Sequence, residues 1–256
     1  GSPRRWRLFG CDACGSAILS PRPTPASIGR AYRDYFTHGP PPSPEPPARG
    51  LPRARRALVN GYLRHRFGYA ASPASAIGRV VVPALPWGAG LAARQVRSLP
   101  ARIAGRLLDV GCANGAFLAQ MAALGWEAEG LETDAHAAAH ARDAGLTVRA
   151  GTISPDTPDH SYDALTPGHV IEHVHDPAAL LRECRRVLRP GGQLWVATPN
   201  LEVPGHPEFG PDYVQLDPPR HLVLFTPARS ASCWGGRDSP ASPASPPSHR
   251  RPPGRT

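Results

Sequence analysis

The sequence contains no lysine: all 29 basic residues of the 256-residue chain are arginine, set against 20 acidic residues for a formal net charge of +9. With alanine, glycine and proline abundant, this looks like a coding bias toward GC-rich codons. The arginines are scattered, and no basic stripe interleaves with aromatics. The charge therefore reads as surface decoration rather than a phosphate-binding face, and no nucleic-acid partner is expected. Long apolar runs are also missing. The most apolar stretch, 76–93, is interrupted by Arg79, Pro83 and Pro86, short of the roughly 20 residues a spanning helix needs. It reads as a packed or interfacial segment, and no transmembrane segment is expected. There is no secretory signal at the start, where Gly1-Ser2 reads as an expression remnant or an internal cut. Cysteine is scarce and odd in number, at 11, 14, 112, 184 and 233, in a chain too large to need disulfide stapling. A reducing, cytoplasmic setting is expected.

The composition divides the chain into five stretches. Residues 1–38 hold Cys11, Cys14 and the turn-rich Ser20-Pro21-Arg22-Pro23, then Ile28, Tyr32 and Tyr35 at helical spacing. Residues 39–52 are a Pro-rich linker that can be neither helix nor central strand. Residues 53–101 form a helical appendage, whose opening helix at 53–67 repeats Ala54, Leu58, Val59, Tyr62, Leu63 and Phe67 near the 3.6 period. Residues 102–228 alternate apolar runs with helical patterns, the βαβα rhythm of an α/β, doubly wound, mostly parallel sheet. Strands are predicted at 106–110, 128–131, 147–150, 162–165 and 193–197, with helices at 116–124, 135–144 and 177–188. Asp176 and Pro177 start the last helix, and Pro190-Gly191-Gly192 ends it. Residues 229–256 are a Ser/Pro/Arg tail too poor in apolar residues to order.

The strongest constellation is the run from Leu107 to Gly115, reading LLDVGCANG, where an apolar strand enters a small-residue turn and then a helix. Gly111 and Gly115 allow unusual dihedrals, and the helix start offers free amides to a carboxylate. A dinucleotide fingerprint asks for G-x-G-x-x-G, a spacing the turn lacks. On the next strand Gly130-Leu131-Glu132-Thr133-Asp134 ends in an acid placed to accept two ribose hydroxyls, while Asp134 suits a helix cap. The run His169-Val170-Ile171-Glu172-His173 also matches an inverted zinc-protease pattern. That chemistry needs both histidines on one helix, and Pro167-Gly168 before them argues for a loop.

Together, DVGCANG, GLETD, YDAL, HVIEHVHDP and RPGGQLWVATPN, in this order between Arg106 and Pro227, resemble the class I S-adenosylmethionine-dependent methyltransferases of the bacterial small-molecule type. The resemblance covers about half the chain and implies a Rossmann-like sheet. It implies Asp109, Gly111, Cys112, Ala113, Asn114 and Gly115 around the methionine part of the cofactor, and Glu132 with Thr133 at the ribose. Thr152 and Ile153 would flank the adenine, although the acid often found near there is absent, and His169 would line the cofactor. Ala113 replaces the family's commoner glycine. Related domains finish their sheet with two further strands, for which no apolar runs remain after Pro227.

Methyl transfer needs an aligned acceptor, a dry site and sometimes a base. Histidine suits that role near neutral pH, making His173 and His221 the catalytic candidates, with Glu172 orienting them. The acceptor is expected to be a small molecule such as a phenol, quinone precursor or sugar. Its pocket is expected from the helix before the core, the loop after the fourth strand, and the stretch 202–225 with Phe209, Tyr213 and Phe225. Cys11 and Cys14 resemble half of a zinc ribbon that precedes this domain in some bacterial methyltransferases, but a closed zinc site needs four ligands. The alternatives are a truncated, inactive cofactor-binding relic, an NAD-binding oxidoreductase and an RNA methyltransferase.

Overall fold

A strand buried along its length must be covered on both faces, and the run at 106–110 is buried from Leu107 to Val110. The computed structural model describes residues 6–12, 14–32, 50–102, 104–203 and 210–226. The expected tail, most of the Pro-rich linker, Tyr35, Phe209 and Cys233 lie outside them.

The chain opens with a hairpin, β1 (Arg7–Gly10) and β2 (Ala17–Ser20), and a 3-10 turn at Ile28–Tyr32. Three helices follow: α1 (Leu51–Phe67), α2 (Gly78–Ala84) and α3 (Gly88–Gln95). The segment expected to be packed or interfacial is thus a helix pair, divided at Leu85-Pro86-Trp87. The α/β part runs β3 (Arg106–Val110), α4 (Ala116–Ala123), β4 (Glu127–Glu132), α5 (Ala135–Asp143), β5 (Thr147–Ala150), β6 (Tyr162–Leu165), α6 (Pro177–Val187), β7 (Leu188–Leu194) and the short β8 (Val223–Leu224).

Five strands make a parallel sheet in the order β5-β4-β3-β6-β7, with β3 at its centre. Alternation on β3 divides the core in two. Leu107 packs with Leu118, Met121, Ala138 and the appendage residues Tyr62, Val82 and Val96. Leu108 and Val110 face the other way, with Leu131, Leu165, Cys184 and Val187. The appendage is therefore part of the main core, and Trp126 ties to it by donating its indole N–H to the Tyr69 hydroxyl at 3.2 Å. No helix among the described residues is long and apolar enough to cross a membrane.

Two features differ from the sequence expectation. The last strand was expected at 193–197 after a Pro-Gly-Gly stop, yet α6 ends at Val187 and β7 begins at once, carrying Pro190-Gly191-Gly192 within it. Tyr162 pairs with Leu188 and Ala164 with Gln193, so the extra residues bulge. That is tolerable on a strand with only one neighbour among the described residues. The second feature is a three-stranded antiparallel sheet, β1-β2-β8. Ala17 pairs with Leu224 and Ile18 with Val223, so the expected N-terminal module takes its third strand from the end of the α/β part.

Candidate active site

The β3–β4 register sets Val110 beside Leu131, and the turn that follows folds against the end of β4. The Gly111 and Cys112 amides donate to the Leu131 carbonyl at 2.8 and 3.0 Å. Gly111 has φ +73, and a Cβ there would stand 2.4 Å from Val170 Cγ2, so both dihedral and space demand glycine. Gly115, at φ +80, is the residue before α4. Ala113 holds φ +49, a left-handed conformation that costs an L-residue about 1 kcal/mol or more. The Asn114 side-chain oxygen accepts from the Ala116 amide at 3.4 Å. Cys112 is buried, and burial pushes its thiol up to about 12, so it serves as a small packed residue and not as a nucleophile.

Glu132 clamps this turn. Its carboxylate accepts from the Ala113 and Asp134 amides, each at 2.8 Å, and from the Thr133 hydroxyl at 3.4 Å. Each carboxylate oxygen has two lone pairs, leaving capacity for further donors. Asp134 caps α5 by accepting from the Ala137 amide at 2.8 Å. At the end of β5 the Gly151 amide donates to the Glu132 carbonyl at 2.8 Å, which brings exposed Thr152 and buried Ile153 to the same edge.

Asp109 is buried beneath the turn. Arg97 donates to Oδ1, and the Thr166 hydroxyl donates to the same oxygen at 2.9 Å. The other oxygen, Oδ2, is buried with no hydrogen-bond partner among the described residues. Burial pushes the carboxyl up, and the Arg97 and Thr166 contacts oppose that rise. Arg97 also donates to the Thr166 carbonyl at 2.9 Å and lies over the Phe117 ring at 3.6 Å. The sequence reading missed it, since nothing local marks a residue twelve positions upstream as the partner of Asp109.

After β6 the chain forms a loop, as expected, held by the His169 amide donating to the Ala197 carbonyl at 2.8 Å. His169 has φ +57, is exposed, and sets Nδ1 3.3 Å from Glu172 Oε1. That approach misses hydrogen-bond geometry, and both carboxylate oxygens of fully buried Glu172 are without a hydrogen bond among the described residues. Donor atoms of Glu172, His173 and His221 lie within 4.8 Å of one another, close enough to surround a cation. The His173 and His221 rings meet edge to face at 4.7 Å.

A carbonyl can only accept, so His221 Nδ1–H donates to the Gln215 carbonyl at 2.7 Å and leaves its Nε2 unprotonated. His173 Nδ1 lies 3.1 Å from the Arg220 carbonyl and 2.9 Å from the Tyr32 hydroxyl, and the tautomer that shares Nδ1–H between these two oxygens leaves Nε2 free to accept. Burial holds the His173 imidazolium below its usual range, with Glu172 acting the other way.

The segment that follows the N-terminal hairpin, up to the 3-10 turn at Ile28–Tyr32, walls this cluster. The Tyr32 hydroxyl stands 2.9 Å from His173 Nδ1, His175 Nε2–H donates to the Pro23 carbonyl at 2.8 Å, and the Arg220 guanidinium donates to the Ala31 carbonyl at 3.1 Å. Leu222 and Val223 amides donate to the Glu172 carbonyl at 2.7 and 3.2 Å. Beside His169 lies a cavity of about 400 Å³ whose lining includes Arg94, Asn200, Gln215 and Phe225. Tyr213 is not in its lining. A larger hollow of about 540 Å³ near Trp6, Arg22 and Pro219 is also lined by Pro23 and Ala31, and Glu172, His173 and His221 are in the lining of neither cavity. The smaller one, at the carboxyl ends of the strands, is the better candidate for chemistry.

Cys11 and Cys14 sit in the β1–β2 turn, where the Cys14 and Gly15 amides donate to the Cys11 carbonyl at 3.1 and 2.7 Å. Among the described residues no third His, Cys, Asp or Glu joins them as a ligand group, so the pair alone does not fit a closed zinc site.

Residues 87–234 match the model of a methyltransferase domain family. A ubiquinone biosynthesis O-methyltransferase of Paraburkholderia phymatum is 30% identical over 119 residues, 43% of this chain and 51% of that protein. One from Parvibaculum lavamentivorans is 35% identical over 126 residues, 46% and 48% of the two chains. The chain spans about half the length of these curated relatives. A solved Thermotoga maritima structure, described as an SAM-dependent methyltransferase and possible histamine N-methyltransferase, is similar at 25% identity and a TM-score of 0.46, over 55% of this chain and 66% of that one. The family match takes in the turn after β3, Glu132, Asp109 and the histidine loop, and the chain belongs to the methyltransferase domain family.

Proposed function

We propose that this chain binds S-adenosylmethionine at the turn after β3 and directs its methyl group to a small-molecule acceptor, a ring hydroxyl by preference. The observation that carries the reading is the clamp between the glycine turn and Glu132, whose carboxylate holds the Ala113 amide at 2.8 Å. One element thus offers bare backbone, and its neighbour offers an acid with lone pairs to spare. Buried Asp109 Oδ2, lacking a partner, suits an ammonium group, and the start of α4 suits a carboxylate. These features fit the cofactor: Asp109 at its amino group, the turn at its methionine part, Glu132 at its ribose, Thr152 and Ile153 at its adenine. When bound, it supplies an electrophilic methyl carried on positively charged sulfur.

The protein's own part is orientation, exclusion of water and removal of one proton. His173 is held neutral, because burial disfavours its charged form, and so has a free ring nitrogen, Nε2, to accept the acceptor's hydroxyl proton. Glu172 offsets the imidazolium that results. His221 packs against His173, the ring centroids 4.7 Å apart. The named function of the relatives, O-methylation in ubiquinone biosynthesis, favours an oxygen acceptor.

Calorimetry with S-adenosylhomocysteine tests the reading. Binding of about micromolar strength, near 8 kcal/mol, is expected for the wild type and at least about tenfold weaker binding for Glu132→Ala, a loss of about 1.4 kcal/mol. Unaltered binding in both Glu132→Ala and Asp109→Ala refutes the placement. A screen of phenolic and catecholic acceptors then tests turnover.

A further inference from the structure

We infer that the α2–α3 helix pair is a docking surface for an anionic lipid bilayer. Ile77, Val80, Leu85, Trp87 and Leu91 are between 55% and 78% exposed, although each is a large apolar side chain of the kind that burial favours. They belong to two adjoining short helices and the turn between them. Val82 and Ala92 on those same helices are buried in the core, so one side of each helix is anchored and the other is turned outward. A grouping of this kind marks an interaction site rather than ordinary surface. Trp87 sits at the tip with φ +62, a left-handed conformation that a bulky residue holds only at some cost.

Charge identifies the occupant. Residues 50–101 contain eight arginines and no Asp or Glu at all. Arg97 is turned inward to Asp109, whereas Arg79 and Arg94 are exposed on the same two helices as the apolar side chains. An apolar tip carrying tryptophan, with arginine beside it and no carboxylate, complements the interface of a bilayer with anionic headgroups. A second copy of the chain meets this surface poorly, because a two-fold contact sets the same unbalanced arginines against each other. Nucleic acid would match the arginines but leave five apolar side chains facing phosphate and water.

The placement bears on the reaction. Trp87 precedes Arg94 by seven residues along α3, about 10 Å at about 1.5 Å per residue, and Arg94 lines the cavity beside His169. A bilayer touching Trp87 would lie close to the cavity mouth, favouring acceptors that partition into lipid. The docking itself does not depend on the methyltransferase reading.

Co-sedimentation with vesicles tests it, using phosphatidylcholine alone and phosphatidylcholine mixed with phosphatidylglycerol. The full chain should bind the mixed vesicles and be released by salt. The double variant Val80→Ser with Trp87→Ser should lose at least about tenfold in partitioning, and Arg79→Gln about fivefold. Both should keep the wild-type unfolding midpoint and wild-type S-adenosylhomocysteine binding. The proposal is overturned if mixed vesicles bind no better than neutral ones, or if the double variant binds them as the wild type does. It is also overturned if the double substitution instead dissolves a dimer, or if duplex nucleic acid displaces the vesicles and binds the double variant unchanged.

Discussion

A buried carboxylate needs a cation or a proton, and at Asp109 the cation comes from Arg97. Replacing Arg97 with alanine strands a buried charge, and a loss of about 3 kcal/mol in urea unfolding is expected. The double change Arg97→Leu with Asp109→Asn should lose less, since no unpaired charge remains. Gly111→Ala faces two separate obstacles, the positive φ and Val170 Cγ2 at 2.4 Å. Adding Val170→Ala should recover the steric part and leave about 1 kcal/mol of backbone strain, which thermal unfolding of the two variants can separate. His173 makes the neutral side of the pH scale informative. Its imidazolium is disfavoured in the fold, so the unfolded chain takes up a proton first as pH falls below about 6.5. The contribution is full above that value and declines below it, and His173→Gln should flatten this part of the stability profile. Of these residues, the place of Gly111 in a turn and of Asp109 and Glu132 on the strands before and after it was legible in the sequence, because a strand-turn-helix pattern is local. Arg97 and Tyr32 were not, because each reaches its partner through tertiary packing.

Strands β3, β5 and β6 fall where the sequence places them, because each is a short run bounded by turn residues. β7 was displaced: Pro190-Gly191-Gly192 reads as a helix stop, but an outer strand absorbs it as a bulge. The β2–β8 pairing could not be read at all, since strand partners far apart in sequence leave no periodic signal. Asp163 staples several of these elements. It accepts from the Arg106 amide at 2.9 Å and from Arg189 at 2.7 Å, and pairs with Arg102. Burial alone would raise its carboxyl, yet these donors outweigh burial and hold it below the usual range. The stabilisation is present above about pH 4, the unfolded value, and is lost as pH falls through the lower folded value. Asp163→Asn should lower the unfolding midpoint at pH 7 and show a shallower decline as pH falls below about 4.

The whole molecule joins two cores across one sheet, with the proposed cofactor edge formed by neighbouring strands and the proposed acceptor edge by segments from both parts of the chain. A ligand that binds only the folded form stabilises it by mass action, about 2.7 kcal/mol at about a hundredfold excess over its dissociation constant. S-adenosylhomocysteine should therefore raise the unfolding midpoint of the wild type and raise that of Glu132→Ala by clearly less, as read by scanning calorimetry. The pairing of Ala17 with Leu224 carries a further consequence for biosynthesis. On a ribosome the opening hairpin emerges early, but the strand that completes its sheet arrives only after the parallel sheet has been made. Until then Leu222 cannot fasten the Glu172 carbonyl. The turn after β3 and Glu132, the proposed nucleoside half of the site, can thus mature while translation continues, whereas the histidine loop, the proposed acceptor half, is latched last, and a nascent chain halted before residue 222 would hold the first without the second.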